Sequence, residues 1–267
     1  MAFENERTFQ KFVISKEVES FHDQYEKAIR DVKREFGKHY PLIIGSTKIK
    51  RDSTFTHLSP VDARIVLGYF PRSSPEDITK AINAAKDGFK EWRKYDYKKR
   101  TEICRTAGDI LSKRKFELAA WLSYENGKNR YEAIGDVDEA IDFIRYYCES
   151  METNEGFSIL TCSAYQAESS RSVMKPYGVW GVIAPFNFPA AILIGMSTGA
   201  LITGNTIVLK PPSDAPVIGY KFAQVMEGAG LPNGVLKLVT GPGVQFGQGI
   251  VGNEDVAGIV FTGSMNA

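Results

Sequence analysis

Between residues 179 and 261 the apolar residues adopt a rhythm that narrows the possible folds more than any other part of the chain. Residues 179–185 form an apolar run with the look of a buried strand, 190–203 an apolar helix, and 206–209 a second strand. Residues 217–228 then read as a helix closed by Gly230, 235–239 as a third strand, 247–251 as a short helix and 258–261 as a fourth strand. Continuous apolar runs of this length suit strands covered on both faces, and strands that alternate with helices require right-handed crossovers. The expected fold is therefore α/β: a doubly wound parallel sheet, Rossmann-like and incomplete, because four strands would leave an apolar edge open after residue 261. Something beyond those strands is expected to cover that edge.

The first 150 residues have a different pattern. Val18, Phe21, Tyr25, Ala28, Ile29, Val32 and Phe36 recur every three or four residues, and Gly37 stands where a helix would stop. Residues 40–50 (YPLIIGSTKIK) read as a short hairpin turning at Gly45-Ser46, placed on an edge. Ser74-Pro75-Glu76-Asp77 reads as a helix start: a hydroxyl cap, a proline whose missing N–H costs nothing there, and carboxylates at the positive end of the helix dipole. Four helices are expected between 74 and 150. From 156 to 173 periodicity is lost in favour of polar, β-prone residues, the mark of a projecting hairpin or a linker. This divides the chain into a mainly helical N-terminal segment with a β-hairpin (1–150), a projecting hairpin or linker that serves oligomerisation (151–175) and a partial dinucleotide-binding unit (176–267).

Composition sets limits on partners. Lys plus Arg (33) nearly balance Asp plus Glu (32), so no global field draws the chain to nucleic acid or an acidic membrane, and a small-molecule ligand is expected instead. The N-terminus lacks the basic and apolar blocks of a signal peptide, and the apolar stretch 192–207 is short and interrupted, so a cytoplasmic protein is expected. Cys104, Cys148 and Cys162 are far apart, and His22, His39 and His57 share no ligand spacing, which argues against a metal site or a disulfide framework.

In an open parallel sheet ligands bind beyond the carboxyl ends of the strands. The residues there are Asn187, then Lys210 and Ser213, then Gly241 and Gly243, then Thr262 to Ser264. Taken one at a time, each has an ordinary explanation as a turn residue or a solvated charge. Together they suit a nucleotide-type ligand, with glycines that let backbone approach a phosphate and a Thr-Gly-Ser turn that offers donors. No G-x-G-x-x-G follows the first strand, so the common dinucleotide fingerprint is absent.

PFNFP (185–189), GNTIVLKPPSD (204–214), AGLPNGVLKLVTGPG (229–243) and VFTGS (260–264) occur in the order and spacing of the aldehyde dehydrogenase superfamily, and the whole chain resembles its N-terminal half. FNF at 186–188, the Ser-Asp after Lys-Pro, and the ENGK and DEAIDFIRYY segments make it most similar to the 1-pyrroline-5-carboxylate dehydrogenase branch, which turns glutamate semialdehyde into glutamate in proline catabolism. The resemblance implies NAD or NADP as cofactor. It implies an oxyanion-binding amide at Asn187 and an aldehyde-pocket wall at Phe188. Cofactor contacts are implied at Ile183, Ala184, Pro185 and Phe186, with adenosine ribose at Lys210, adenine and ribose beside Gly243 and Gly247, and pyrophosphate at Phe261, Thr262, Gly263 and Ser264. Ser213 stands where NAD-preferring relatives carry a glutamate, so exclusion of a 2′-phosphate is not implied.

In the family the general-base glutamate and the nucleophilic cysteine follow the FTGS turn by some tens of residues, whereas this sequence ends at Ala267 and none of its cysteines lies in the matching region. The expectation is a truncated half, inactive alone because a thiolate must first add to the aldehyde. Three readings follow: a half whose catalytic part lies on a second chain or outside this sequence, a non-catalytic nucleotide-binding or oligomerising module, and a decayed gene product.

Overall fold

In the computed structural model, which describes residues 3–5 and 7–264, the chain begins with helices α1 (Arg7–Ile14) and α2 (Val18–Lys33). Five short strands follow: β1 (Lys38–His39), β2 (Leu42–Ile44), β3 (Thr47–Ile49), β4 (Thr54–Leu58) and β5 (Val66–Pro71). A helical layer comes next, α3 (Pro75–Trp92), α4 (Tyr97–Lys113), α5 (Lys115–Asn126) and α6 (Arg130–Thr153). Beyond it lies the antiparallel hairpin β6 (Ser158–Thr161) and β7 (Ser170–Val173). The remainder alternates as β8 (Val179–Ile183), α7 (Ala191–Ile202), β9 (Thr206–Lys210), α8 (Pro216–Gly228), β10 (Leu236–Leu238), α9 (Gly243–Val251) and β11 (Val256–Phe261). No described helix is long and apolar enough to cross a membrane.

The main sheet runs β11-β8-β9-β10-β2-β3. The first four strands are parallel, and β2 and β3 continue the sheet antiparallel. The hairpin expected at 40–50 is thus one edge of this sheet, and β11 is the other. From β8 the chain winds toward β10 through α7 and α8, then crosses back to β11 through α9, so the winding reverses between β8 and β11. α7 and α8 pack on one face with α4, α5 and α6 outside them, while α3 packs on the other with α9. This is the doubly wound arrangement anticipated from the apolar rhythm.

Every residue of β9 is buried: Ile207 and Leu209 join the larger core on the α7–α8 side, and Val208 joins the smaller core under α3. Each such side chain contributes about 1.5–3 kcal/mol by leaving water. β10 alternates in the same way, which sends Lys237 toward α3 while Leu236 and Leu238 face α8. There Gly88 of α3 comes against the carbonyl of Gly234, too close for any Cβ at position 88. Lys237 is completely buried beside this contact, and its ammonium group has no hydrogen-bond partner among the described residues.

α3 begins as expected. Asp77 N–H donates to Ser74 Oγ at 3.1 Å, and Ser74 N–H returns a bond to the Asp77 carboxylate at 3.0 Å, satisfying two otherwise orphaned donors. Residues 51–73 were less legible, and α1 was not foreseen. β4 and β5 pair antiparallel, β1 adds to β5, and this small sheet contributes the fully buried Leu67 and Phe70. α9 begins at Gly243 rather than 247, because Gly-Pro-Gly can open a helix as well as form a turn.

Candidate functional site

The carboxyl ends of β8, β9 and β11 meet at the switch point, with Ile183 in register with both Lys210 and Phe261. Hydrogen bonds continue one step past the strands: Ala184 N–H donates to Lys210 O at 3.3 Å, and Thr262 N–H donates to Ile183 O at 3.2 Å. The three predicted strand-end segments are therefore joined directly. Ser213 Oγ donates to Gly241 O at 3.2 Å, which ties the turn after β9 to the turn after β10.

Lys210 is buried at the end of β9 and makes no side-chain hydrogen bond among the described residues. Burial pushes its pKa below the usual lysine value, and nearby Asp214 partly restores it. Gly243, the first residue of α9, faces it: a Cβ there would stand 4.0 Å from Lys210 Nζ. Pro242, at the α9 N-cap, supplies no side-chain acceptor, so the first N–H groups of that helix remain available to an anion. One turn on, Gly247 borders open space. On the β11 side Phe261 is partly exposed, and Gly263 folds back over its ring so tightly that a Cβ would lie 2.6 Å from it. Thr262 Oγ1 reaches Met196 Sδ at 3.5 Å, and Ser264 is exposed.

The turn between β8 and α7 parts two hollows. Pro185 is buried at its start. Asn187 and Phe188 line a cavity of about 690 Å³ with Lys128, Tyr131, Gly135 and Asp136. Phe186 lines a cavity of about 960 Å³ with Arg72, Glu125, Ser213, Gly241 and Pro242. The turn is held from outside: Asn126 Nδ2 donates to Phe186 O at 2.8 Å, the Lys128 ammonium lies 4.0 Å from the Phe188 ring centre, and Asp136 accepts the Ala191 N–H at 2.7 Å. Burial raises the Asp136 pKa against the opposing pull of Lys128, which pairs with it at 2.9 Å.

Sequence reasoning assigned no role to Asn126, Lys128, Asp136, Glu125 or Arg72. The available signal was Asp136, an acidic residue among Ile134, Val137, Ala140 and Ile141 on a buried face, where an unpaired carboxylate is costly. Among the described residues no cysteine lines either hollow. Cys104 and Cys148 are buried in the helical layer with thiols pushed up by burial, Cys148 to about 12, and Cys162 is exposed beside the β6–β7 hairpin.

Residues 48–267 match the model of the aldehyde dehydrogenase family. The chain is 39% identical over 248 residues to a 1-pyrroline-5-carboxylate dehydrogenase of Geobacillus sp. (strain WCH70), covering 92% of this chain and 48% of the relative. It superposes on Thermus 1-pyrroline-5-carboxylate dehydrogenase with bound NAD at a TM-score of 0.88 and 36% identity, covering 92% of this chain and 47% of that one. Proline utilization A from Bdellovibrio bacteriovorus gives a TM-score of 0.89 at 31% identity, with 93% and 26% covered. The chain spans about half the length of the curated relatives it matches.

Proposed function

Because the chain belongs to the aldehyde dehydrogenase family, we propose that it forms the cofactor-binding half of an NAD(P)-dependent 1-pyrroline-5-carboxylate dehydrogenase, the oxidation of glutamate semialdehyde to glutamate in proline catabolism. The observation that carries this reading is the recessed Lys210, whose ammonium makes no side-chain hydrogen bond among the described residues and faces Gly243 at the open start of α9. An ammonium group has three donors to satisfy, and a ribose hydroxyl pair beside Lys210 would supply acceptors that the described side chains do not. The residues present fit the cofactor: Lys210 for the ribose, Gly243 and Gly247 for close approach of adenine and ribose, and residues 261–264 for the pyrophosphate. NAD(P), when bound, would supply the hydride acceptor.

Ser213 carries no charge to repel a 2′-phosphate, so this position excludes neither NAD nor NADP. The exposed Asn187 amide is a donor for the oxyanion that develops on the substrate, and Phe188 forms a wall of the aldehyde pocket. No cysteine lines the Asn187 hollow among the described residues, so the nucleophilic thiolate of this reading comes from outside them. The bare β11 edge, with Ile259 and Phe261 exposed, and the β6–β7 hairpin, with Ile159 and Leu160 exposed, favour association with further chain, in a homo-oligomer or with a second chain carrying the catalytic half.

Calorimetry with ADP-ribose tests the reading. Lys210→Ala is expected to weaken binding by roughly 1.5–3 kcal/mol, the contribution of hydrogen bonds to a charged donor, while Asn187→Ala leaves it unchanged. Equal losses for the two variants, or binding indifferent to Lys210, would overturn the assignment. The 267 residues alone are expected to show no turnover of glutamate semialdehyde with either cofactor. Turnover abolished by Cys104→Ala, Cys148→Ala or Cys162→Ala would contradict the proposal.

A further inference from the structure

The turn that carries Asn187 has little to hold it in place. Residues 184–190 belong to no helix or strand, and Phe186, Asn187 and Phe188 are all exposed. Ala190, at the N-cap of α7, offers no side-chain acceptor to the helix it precedes. Left to itself, an exposed segment with so few bonds belongs among the least stable parts of a fold.

We infer that Lys128 and Asp136 are positioning residues for Asn187: Asp136 anchors the start of α7 and fixes Lys128, which in turn pins the Phe188 ring. Asp136 is buried at the second turn of α6, and one of its oxygens accepts the Ala191 N–H, doing for α7 what Ala190 cannot. Its other oxygen accepts from Lys128 at 2.9 Å. A carboxylate buried this deeply needs its cation, so Lys128 has no freedom to swing into solvent, and its side chain is only 11% exposed. That constraint sets the ammonium 4.0 Å from the Phe188 ring centre, where the ring quadrupole attracts it. Ser123 Oγ donates to Lys128 O at 2.9 Å and holds the backbone from which the side chain reaches. On the other side of Asn187, Asn126 grips the Phe186 carbonyl. The residue proposed to meet the oxyanion is thus gripped on both flanks by the end of α5 and the segment leading into α6, and through Asp136 by α6 itself.

The purpose of this positioning rests on the proposed function, but the positioning can be read without it. Backbone ¹⁵N relaxation on the full chain compares Phe186, Asn187 and Phe188 with Val182 and Leu209 of the neighbouring strands. Lys128→Met, which keeps the stem and removes the charge, is expected to lower order parameters at 186–188 from the rigid range of about 0.85 to below about 0.6 while the strand amides stay rigid. Lys128→Arg, which can both pair with Asp136 and stack on the ring, is expected to restore them. Asp136→Asn, which keeps an acceptor for Ala191, is expected to loosen the same three residues. Unchanged order at 186–188 in Lys128→Met, or a loss spread evenly over the strands, would overturn the inference. Phe188→Leu, at an exposed position, removes the ring while leaving the Lys128–Asp136 pair intact and is expected to loosen the same turn, so the test stands even if Lys128→Met and Asp136→Asn, each of which leaves a buried partner uncompensated, do not fold. ADP-ribose affinity is expected to be unaffected, so failure here is distinguishable from failure of the Lys210 experiment.

Discussion

Lys237→Met is expected to raise the melting temperature at pH 7 by roughly 6–12 °C, since about 3 kcal/mol of stabilisation corresponds to roughly 2–4 °C per kcal/mol in a chain of this size. Lys237 is fully buried on the α3 side of β10 without a hydrogen-bond partner among the described residues, and burial alone pushes its pKa down to about 8 from 10.5. A folded-state pKa below the unfolded value means the unfolded chain holds the proton more tightly, so the lysine opposes folding wherever it is protonated. Each unit of that shift is worth about 1.4 kcal/mol, which sets the size of the effect. Below pH 8 the penalty is fully present; it fades as pH rises from 8 to 10.5 and is gone above that. Methionine fills similar space without a charge. The variant's advantage should therefore shrink between pH 8 and 10.5 in thermal melts, and an advantage of the same size at pH 7 and pH 10 would show that desolvation of the ammonium is not its source.

Glu125→Ala is expected to destabilise the chain by about 3–5 kcal/mol, combining two orphaned buried donors with the cavity left by the side chain. Glu125 lies in the last turn of α5 and is buried, and its carboxylate accepts the N–H groups of both Val217 and Ile218. These are among the first N–H groups of α8, and Ala215 ahead of them has no side chain to cap them. His57 Nε2 lies 3.4 Å from the same carboxylate. Glu125→Gln retains one acceptor oxygen and is expected to lose about half as much. Urea unfolding of the three proteins checks this, and a loss below about 1 kcal/mol for the alanine variant would mean that water reaches the α8 start and takes over the bonds.

Those two residues mark the limit of what the sequence discloses. The parallel strands were legible because each is a short apolar run bounded by Gly, Pro or Asn, and the α3 start was legible because Ser74 and Asp77 are local partners. The candidate strand-end residues followed from topology, since a doubly wound sheet directs ligands to one set of turns. Glu125, Lys128 and Asp136 were not assigned because their partners, Val217, Phe188 and Ala191, lie far along the chain, and nothing local distinguishes a buried carboxylate in a helix from a solvated one. Lys237 read as a strand residue like any other. Only the Gly88–Gly234 contact, between two glycines distant in sequence, reveals that it is shut in. The small β1-β5-β4 sheet escaped because β1 is two residues long and β4 is rich in threonine, too short and too polar to stand out from loop.

The pairing of β10 with β2 ties Leu238 to Ile43, from opposite ends of the chain. A ribosome delivers β2 and β3 long before β8, β9 or β10 exists, so the β2 edge must wait unpaired, with α3 the first element able to cover Leu42 and Ile44. Contacts this distant are slow to close, and strand edges exposed in the meantime invite mispairing. The helices can settle as they emerge, but β2 cannot join the parallel strands until residue 238 is free. Nascent chains released before that point carry an unmatched hairpin, and in the cell their fate is a matter for chaperones rather than for the stability of the finished fold.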